Sequence, residues 1–326
     1  MFKRLIFIST IITLCVVVLG AYVRLSDAGL GCPDWPGCYG TLTVPQSSEA
    51  LAAAQAAYPD APIEHAKAWK EMIHRYLATT LGLFILAIFV MAWRKRNEIK
   101  VSPWLPTALV GLVIFQGMLG MWTVTLLLKP AIVTAHLMGG MSTLAILTWI
   151  THRHWGVISV NFLTSNNLRL LVRGALVILL LQIFLGGWTS TNYAALACTD
   201  FPTCHGAWVP DMDFANAFHW VRELGVDAAG KPLELSAFVA IQWTHRVGAL
   251  ITFLYVGALG LRLLRQPQLT RLASIMLLLL LVQVSLGIAN LVLHLPLVLA
   301  VMHNMVAALL LVTVVVLNSK ITAQNR

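Results

Sequence analysis

The sequence predicts an all-α polytopic membrane protein, eight transmembrane helices arranged as two tandem, pseudo-symmetric four-helix bundles. Three observations carry this. Hydrophobic residues make up 59% of the 326 residues and charged ones only 11%, against about a quarter charged in a soluble domain. Eight runs are long enough to cross a bilayer, which takes about 20 apolar residues; they lie at 3–24, 68–93, 104–127, 130–151, 169–190, 237–262, 271–293 and 296–318. The third observation is a repeat. Cys32-Pro33-Asp34-Trp35-Pro36-Gly37-Cys38 returns as Cys198-Thr199-Asp200-Phe201-Pro202-Thr203-Cys204, a C-x-D-aromatic-P-x-C pattern offset by 166 residues. Gln116, Gly120 and His136 return as Gln283, Gly287 and His303 at 167, and His74-Arg75 as His245-Arg246 at 171. Anchors at one nearly constant offset divide the chain into units 1–160 and 161–326. An even number of spans per unit makes the repeats parallel rather than inverted.

The first run follows Lys3-Arg4 and ends in small residues, the outline of a signal peptide. Its counterpart at 169–190 marks it instead as a retained helix. The loop from Leu25 to about Lys67 is turn-rich, with Gly29, Gly31, Pro33, Pro36 and Gly37, and Ala50–Ala57 can form a short surface helix. The second span stops at Arg94-Lys95-Arg96, Pro103 and Pro106 open the third, and Lys129-Pro130 turns tightly into the fourth. Residues 152–168 link the units. Trp93, Trp104, Trp149, Trp188 and Trp243 fit an interfacial belt. Gly139-Gly140 and Gly186-Gly187 let helices pack closely or leave room for a flat cofactor.

The net charge of +9 would suit nucleic-acid binding, but its distribution excludes the need for it. Lys3, Arg4, Arg94, Lys95, Arg96, Lys100, Arg153, Arg169, Arg173, Arg262, Arg265, Arg271, Lys320 and Arg326 fall at the termini or in alternate loops. That is the positive-inside pattern of a multi-pass protein of the inner, cytoplasmic membrane, with both termini cytoplasmic and the cysteine loops outside. Cysteine pairs on an oxidising face favour disulfides, Cys32 with Cys38 and Cys198 with Cys204. A metal site is the alternative, but the five-residue gap exceeds the usual zinc spacing and only His205 stands nearby. Cys15 is left over in the first span, as a small core residue.

Four histidines lie inside apolar spans: His74, His136, His245 and His303 on the second, fourth, sixth and eighth. Each is seven or eight residues from the outer end of its span, roughly 10–12 Å deep at the rise of an α-helix. Any one of them alone reads as a satisfied core residue. Two pairs at matched depth, repeated in register, read as axial ligands of haem iron on facing helices; zinc or copper needs a third ligand that neither unit supplies at that level. Arg75 and Arg246 each follow a candidate ligand, and with Arg24 they are candidates for the haem propionates. Interfacial snorkelling accounts for Arg24 more readily than for the two His-Arg pairs. One difference separates the units. Glu71 stands three residues before His74, on the same helix face, and Gln242 occupies its place before His245. A carboxylate inside a membrane span is a functional-site signal; Gln242 keeps the shape and cannot titrate. Glu71 therefore adds a proton-active group to the first unit alone.

With these features, Glu71-x-x-His74-Arg75, histidines on alternate spans, paired cysteines in outer loops and duplicated four-helix units, the whole chain resembles the haem A synthase (CtaA-type) family of respiratory-oxidase assembly enzymes. The resemblance implies two successive hydroxylations of the C8 methyl group of haem O, through a hydroxymethyl haem and a diol that loses water, to give the formyl group of haem A. It implies His74 and His136 at the substrate-haem site, His245 and His303 on a resident haem b, Glu71 in catalysis, and disulfides at both cysteine pairs. It further implies haem O synthase, the protohaem farnesyltransferase, as supplier, an electron acceptor, membrane lipid around the chain, and a capacity to oligomerise. For Cys32 and Cys38, a redox role beside the substrate stands next to a structural one. Two other functions fit the histidines: a dihaem cytochrome b-type quinol oxidoreductase, which leaves Glu71 unexplained, and a haem transporter or chaperone.

Overall fold

The structure, a computed structural model, describes residues 1–98, 102–155 and 166–322. These hold helices α1 (Phe2–Leu25), α2 (Ser48–Ala57), α3 (His65–Arg94), α4 (Trp104–Thr125), α5 (Pro130–Trp155), α6 (Asn166–Thr191), α7 (Phe214–Ala217), α8 (Leu235–Leu264), α9 (Thr270–Val292) and α10 (Leu297–Thr322). Among the described residues there is no β-strand. Eight helices, all but α2 and α7, are long and apolar enough to cross a membrane. Helix is the form such runs must take, because hydrocarbon offers no partner to a free backbone N–H or C=O. Their outward faces carry exposed Leu83, Ile114, Leu181 and Leu278, apolar surface suited to lipid rather than water. The predicted boundary at 160/161, and with it Lys100 and Arg326, lies outside the described residues.

In the first four spanning helices, α1 packs on α3 and α5, and α4 closes the ring against both. In the last four, α6 packs on α8 and α10, and α9 closes the ring against both. The seam between the rings is made by α1 with α10, α5 with α10, and α5 with α6. One apolar core runs across it, from Val17, Met141 and Leu144 to Leu179, Leu280 and Leu311. A second, around Ile6, Ile85, Leu109 and Leu147, fills the end of the first ring away from the cysteine loops.

The predicted spans match the spanning helices, with informative differences at their ends. Helices α3 and α8 begin at His65 and Leu235, before the hydropathy rises at 68 and 237, so each projects beyond the apolar run to meet its loop. The short surface helix is α2, capped by Ser47, whose Oγ accepts the Ala50 N–H at 3.2 Å. The tight turns before α5 and α10 are built alike. Leu127 and Leu128 have φ of 50° and 57°, and His294 and Leu295 have 57° and 61°, a left-handed conformation that costs a residue with a Cβ.

Two expectations are corrected. Cys15 is exposed rather than in the core, because in a spanning helix an outward thiol faces lipid at little cost. Trp188 is 1% exposed, enclosed by protein rather than turned outward; its indole N–H donates to the Ala217 carbonyl at 2.9 Å, under an aromatic group with Phe184, Phe218 and Trp220.

Candidate functional site

Each of the four span histidines sets its ring edge against a glycine of a neighbouring helix. A Cβ added at Gly20 of α1 would stand 3.0 Å from Cε1 of His74; the distances are 3.5 Å from Gly120 to His136, 3.1 Å from Gly186 to His245 and 3.2 Å from Gly287 to His303. The glycines are therefore the space in which the imidazoles lie, and of the residues singled out for close packing Gly186 has this use. His74 and His136 are near enough to interact electrostatically, and so are His245 and His303. The predicted pairs are thus brought together within each ring of helices.

The fit to haem rests on what these rings lack as much as on where they lie. Nδ1 of His74, His136 and His303 is buried without a hydrogen-bond partner, an arrangement that costs free energy unless something else uses the ring. Among the described residues no three His, Cys, Asp or Glu side chains gather as an ion site. Each pair offers two imidazoles and no third donor, which suits the two axial positions of a haem better than a tetrahedral ion.

Glu71 is buried, at 5% exposure, and one oxygen accepts the Cys32 N–H at 3.0 Å. Its other oxygen pairs with Arg75. Arg75 also donates to the carbonyl oxygens of Asp34 at 3.0 Å and Pro36 at 3.3 Å, and to that of Gly37. The disulfide Cys32–Cys38 closes this loop, with S–S of 2.02 Å. Glu71 and Arg75 therefore hold the first cysteine loop directly over the helix turn that carries His74.

The second loop, closed by Cys198–Cys204 with S–S of 2.09 Å, is held by Arg246, which donates to the carbonyls of Asp200 at 2.9 Å, Thr203 at 2.7 Å and Cys198 at 3.3 Å. Gln242, in the place of Glu71, is buried and its Oε1 has no partner. Asp200 gathers the loop from within, accepting from the Thr203 hydroxyl, from the Gly206 N–H at 3.0 Å and from the His205 N–H. These bonds hold its carboxyl down to about 2 from an ordinary 3.8, the Thr203 hydroxyl first among them.

The arginines expected at propionates thus divide. Arg75 and Arg246 spread their guanidinium groups over backbone carbonyls of the loops. Arg24 donates to Ser190 O at 2.9 Å, lies 4.1 Å over the Tyr193 ring and reaches Asp27 at 3.8 Å; its Nε is buried without a partner. Sequence reading missed the glycine Gly20 and the glutamine Gln182, whose amide nitrogen lies 3.1 Å from Nδ1 of His245. The signal for Gln182 was the i, i+4 pair Gln116…Gly120, repeated at Gln283…Gly287 and again at Gln182…Gly186; for Gly20 it was the offset of 166 that separates it from Gly186.

Comparison with known proteins bears on this geometry. The family model described as COX15-CtaA, cytochrome oxidase assembly protein, matches residues 3–315. A protein of Shewanella oneidensis named Heme A synthase is 46% identical over 319 residues, covering 95% of this chain and 94% of that protein. Proteins of the same name from Caulobacter sp. strain K31 and Halalkalibacterium halodurans are 28% and 26% identical, over 94% and 71% of this chain and 92% and 72% of their own lengths. Eight helices long enough to span a membrane among the described residues and a family match from residue 3 to residue 315 agree, and the chain belongs to the COX15-CtaA family of cytochrome oxidase assembly proteins.

Proposed function

We propose that this chain converts haem O to haem A, oxidising the C8 methyl group of a farnesylated haem to a formyl group. The observation that carries the reading is the asymmetry of two otherwise alike sites: facing histidines in both, and a buried carboxylate beside one only. It is supported by the likeness to Heme A synthase of Shewanella oneidensis along nearly the whole chain.

In this reading residues 1–160 form the substrate unit, where His74 and His136 hold haem O, and residues 161–326 form a second unit, where His245 and His303 hold a resident haem b. The like neighbours of α1 and α6, α3 and α8, α4 and α9, and α5 and α10 support two such units. Bound haem iron supplies the one-electron chemistry. The chain's own residues do the rest. The glycines set the ring planes, the disulfide loops roof the sites, and Arg24, with a donor unspent, contacts a propionate. Glu71, within a turn of His74, takes up protons released as the methyl carbon is oxidised. Electrons leave through the second unit to an acceptor. Haem O synthase is the class of enzyme that supplies the substrate, the protein lies in the inner membrane, and both termini face the cytoplasm.

The test is pigment extraction and mass analysis after expression with haem O. Wild type should yield formyl-haem. Glu71→Gln, which copies Gln242, should retain haem and lose formation of haem A by roughly 10²-fold or more, the usual contribution of a positioned acid–base group. Because Glu71 also anchors the loop, thiol labelling of the variant should show Cys32 and Cys38 still paired. Haem A at the normal rate from Glu71→Gln would overturn the role of Glu71; haem b alone from wild type, with rapid quinol oxidation, would make the chain an electron carrier.

A further inference from the structure

The four histidines are not held equally, and the difference follows a pattern in the neighbouring helices. In α4, α6 and α9 a glutamine stands four residues before the glycine that receives the imidazole: Gln116 before Gly120, Gln182 before Gly186, Gln283 before Gly287. One helical turn puts each glutamine on the same face as its glycine. In α1 the residue four before Gly20 is Val16. His74 is thus the one span histidine whose glycine helix brings no amide.

The contrast is sharpest between His74 and its counterpart His245. Gln182 Nε2 lies 3.1 Å from His245 Nδ1 and donates to the His245 carbonyl at 3.1 Å. Turned over, the same amide presents Oε1 to an Nδ1–H, the tautomer that leaves Nε2 bare for a metal. The space for this amide is provided by Gly248, one turn beyond His245; a Cβ there would stand 2.3 Å from Gln182 Oε1. At the corresponding place beyond His74 the residue is Leu77. A polar amide and the gap that admits it are therefore exchanged together for two apolar side chains. His74 Nδ1 is left buried without a partner.

A partner on the outer nitrogen of a metal-bound histidine fixes its tautomer and raises its basicity, and loss of one weakens metal binding 10- to 100-fold. We propose that Gln182 is the positioning residue that makes the second-unit haem a retained one, and that Val16 with Leu77 leaves His74 a weakly held ligand, so that the haem of the first unit is exchangeable. This rests on the two-site reading above and deepens it. A substrate must enter and a product leave, whereas an electron relay must stay; Nδ1 of both first-unit histidines, His74 and His136, is without a partner, and His245 of the second unit has Gln182.

The experiment uses full-length purified protein loaded with haem b and measures transfer to excess apomyoglobin from the change in the visible spectrum. Wild type should release haem in a fast and a slow phase, and His245→Ala should abolish the slow one. Gln182→Val should speed the slow phase roughly 10- to 100-fold and raise the reduction potential of the slowly released haem, because a less basic imidazole stabilises ferric iron less. Val16→Gln combined with Leu77→Gly should slow the fast phase by a similar factor, and it tests the idea even if Gln182→Val does not fold. If both substitutions leave the rates and the potential unchanged while His245→Ala still removes the slow phase, the role of the amide is wrong and the two-site reading stands. If His245→Ala leaves both phases intact, the two-site reading itself fails.

Discussion

Gly186 and His245 show how little freedom the candidate ligands have. The imidazole lies flush with the backbone of α6, 3.1 Å from where a Cβ would stand, and Gln182, one turn earlier on the same helix, holds it there at Nδ1. A methyl group in such a place is overpacking, which costs about 1–3 kcal/mol. Gly186→Ala should therefore displace the ring, reduce haem retained on purification several-fold and shift the visible spectrum. Gly111→Ala on α4, where an added Cβ meets nothing within 4 Å, should change neither; equal spectra for the two variants would show that the glycine does not shape the site. At this scale the histidines were legible in the sequence, because a polar ring in an apolar run has few explanations and a repeated pair has fewer. Arg75 and Arg246 were legible in position but not in partner. Helical position showed them beside the histidines, but whether a guanidinium turns to a ligand or to a loop depends on the path of a segment with no periodicity.

The loop elements are held by charge as well as by sulfur. In the second, Asp200 accepts hydrogen bonds from Thr203 inside the disulfide ring and from His205 and Gly206 just beyond it, and its carboxyl stays ionised down to about 2. A carboxylate held below its unfolded value of 3.8 contributes stability that is present above that value and lost as pH falls through the folded one. The loop should accordingly resist pepsin at pH near 4 and become cleavable as pH approaches 2. Asp200→Asn, compared with wild type at each pH, should already be cut near pH 4; indistinguishable digestion of the two would remove Asp200 from the account. The loops also mark where sequence reading stops. Their cysteines, prolines and Asp34 and Asp200 gave the repeat, and α2 was expected within two residues at its start. Helix α7 was not, since a four-residue helix leaves no period to detect and is set by the Asp213 side chain accepting the Asn216 N–H at 3.1 Å.

For the whole molecule the question is what joins the two rings of helices. Hydropathy gives the number of spans and cannot say which pair, because every helix is apolar all round; the order emerges only from packing. The seam combines the apolar core of α1, α5, α6 and α10 with polar contacts at both ends. On the cysteine-loop side Arg24 donates to Ser190 O, Tyr193 donates to Asp27 at 3.1 Å, and the Thr134 and Thr191 hydroxyls meet at 3.0 Å. On the opposite side His152 and Ser319 lie 2.9 Å apart. Apolar packing alone drives helices together weakly in lipid, where the alternative contact is an equally apolar chain, so such hydrogen bonds add a share of roughly 0.6 kcal/mol each. Several of them at both ends of a packed seam should hold the rings together without the covalent link. A protease site placed between Trp155 and Asn166 should therefore yield two fragments that co-purify in mild detergent and keep the haem of the uncut protein. Arg24→Ala together with Thr134→Val should weaken that association, read as fragment separation on size exclusion, while the uncut double variant stays whole. Fragments that part at once in the otherwise unaltered protein would mean that the linker, and not the seam, holds the rings together.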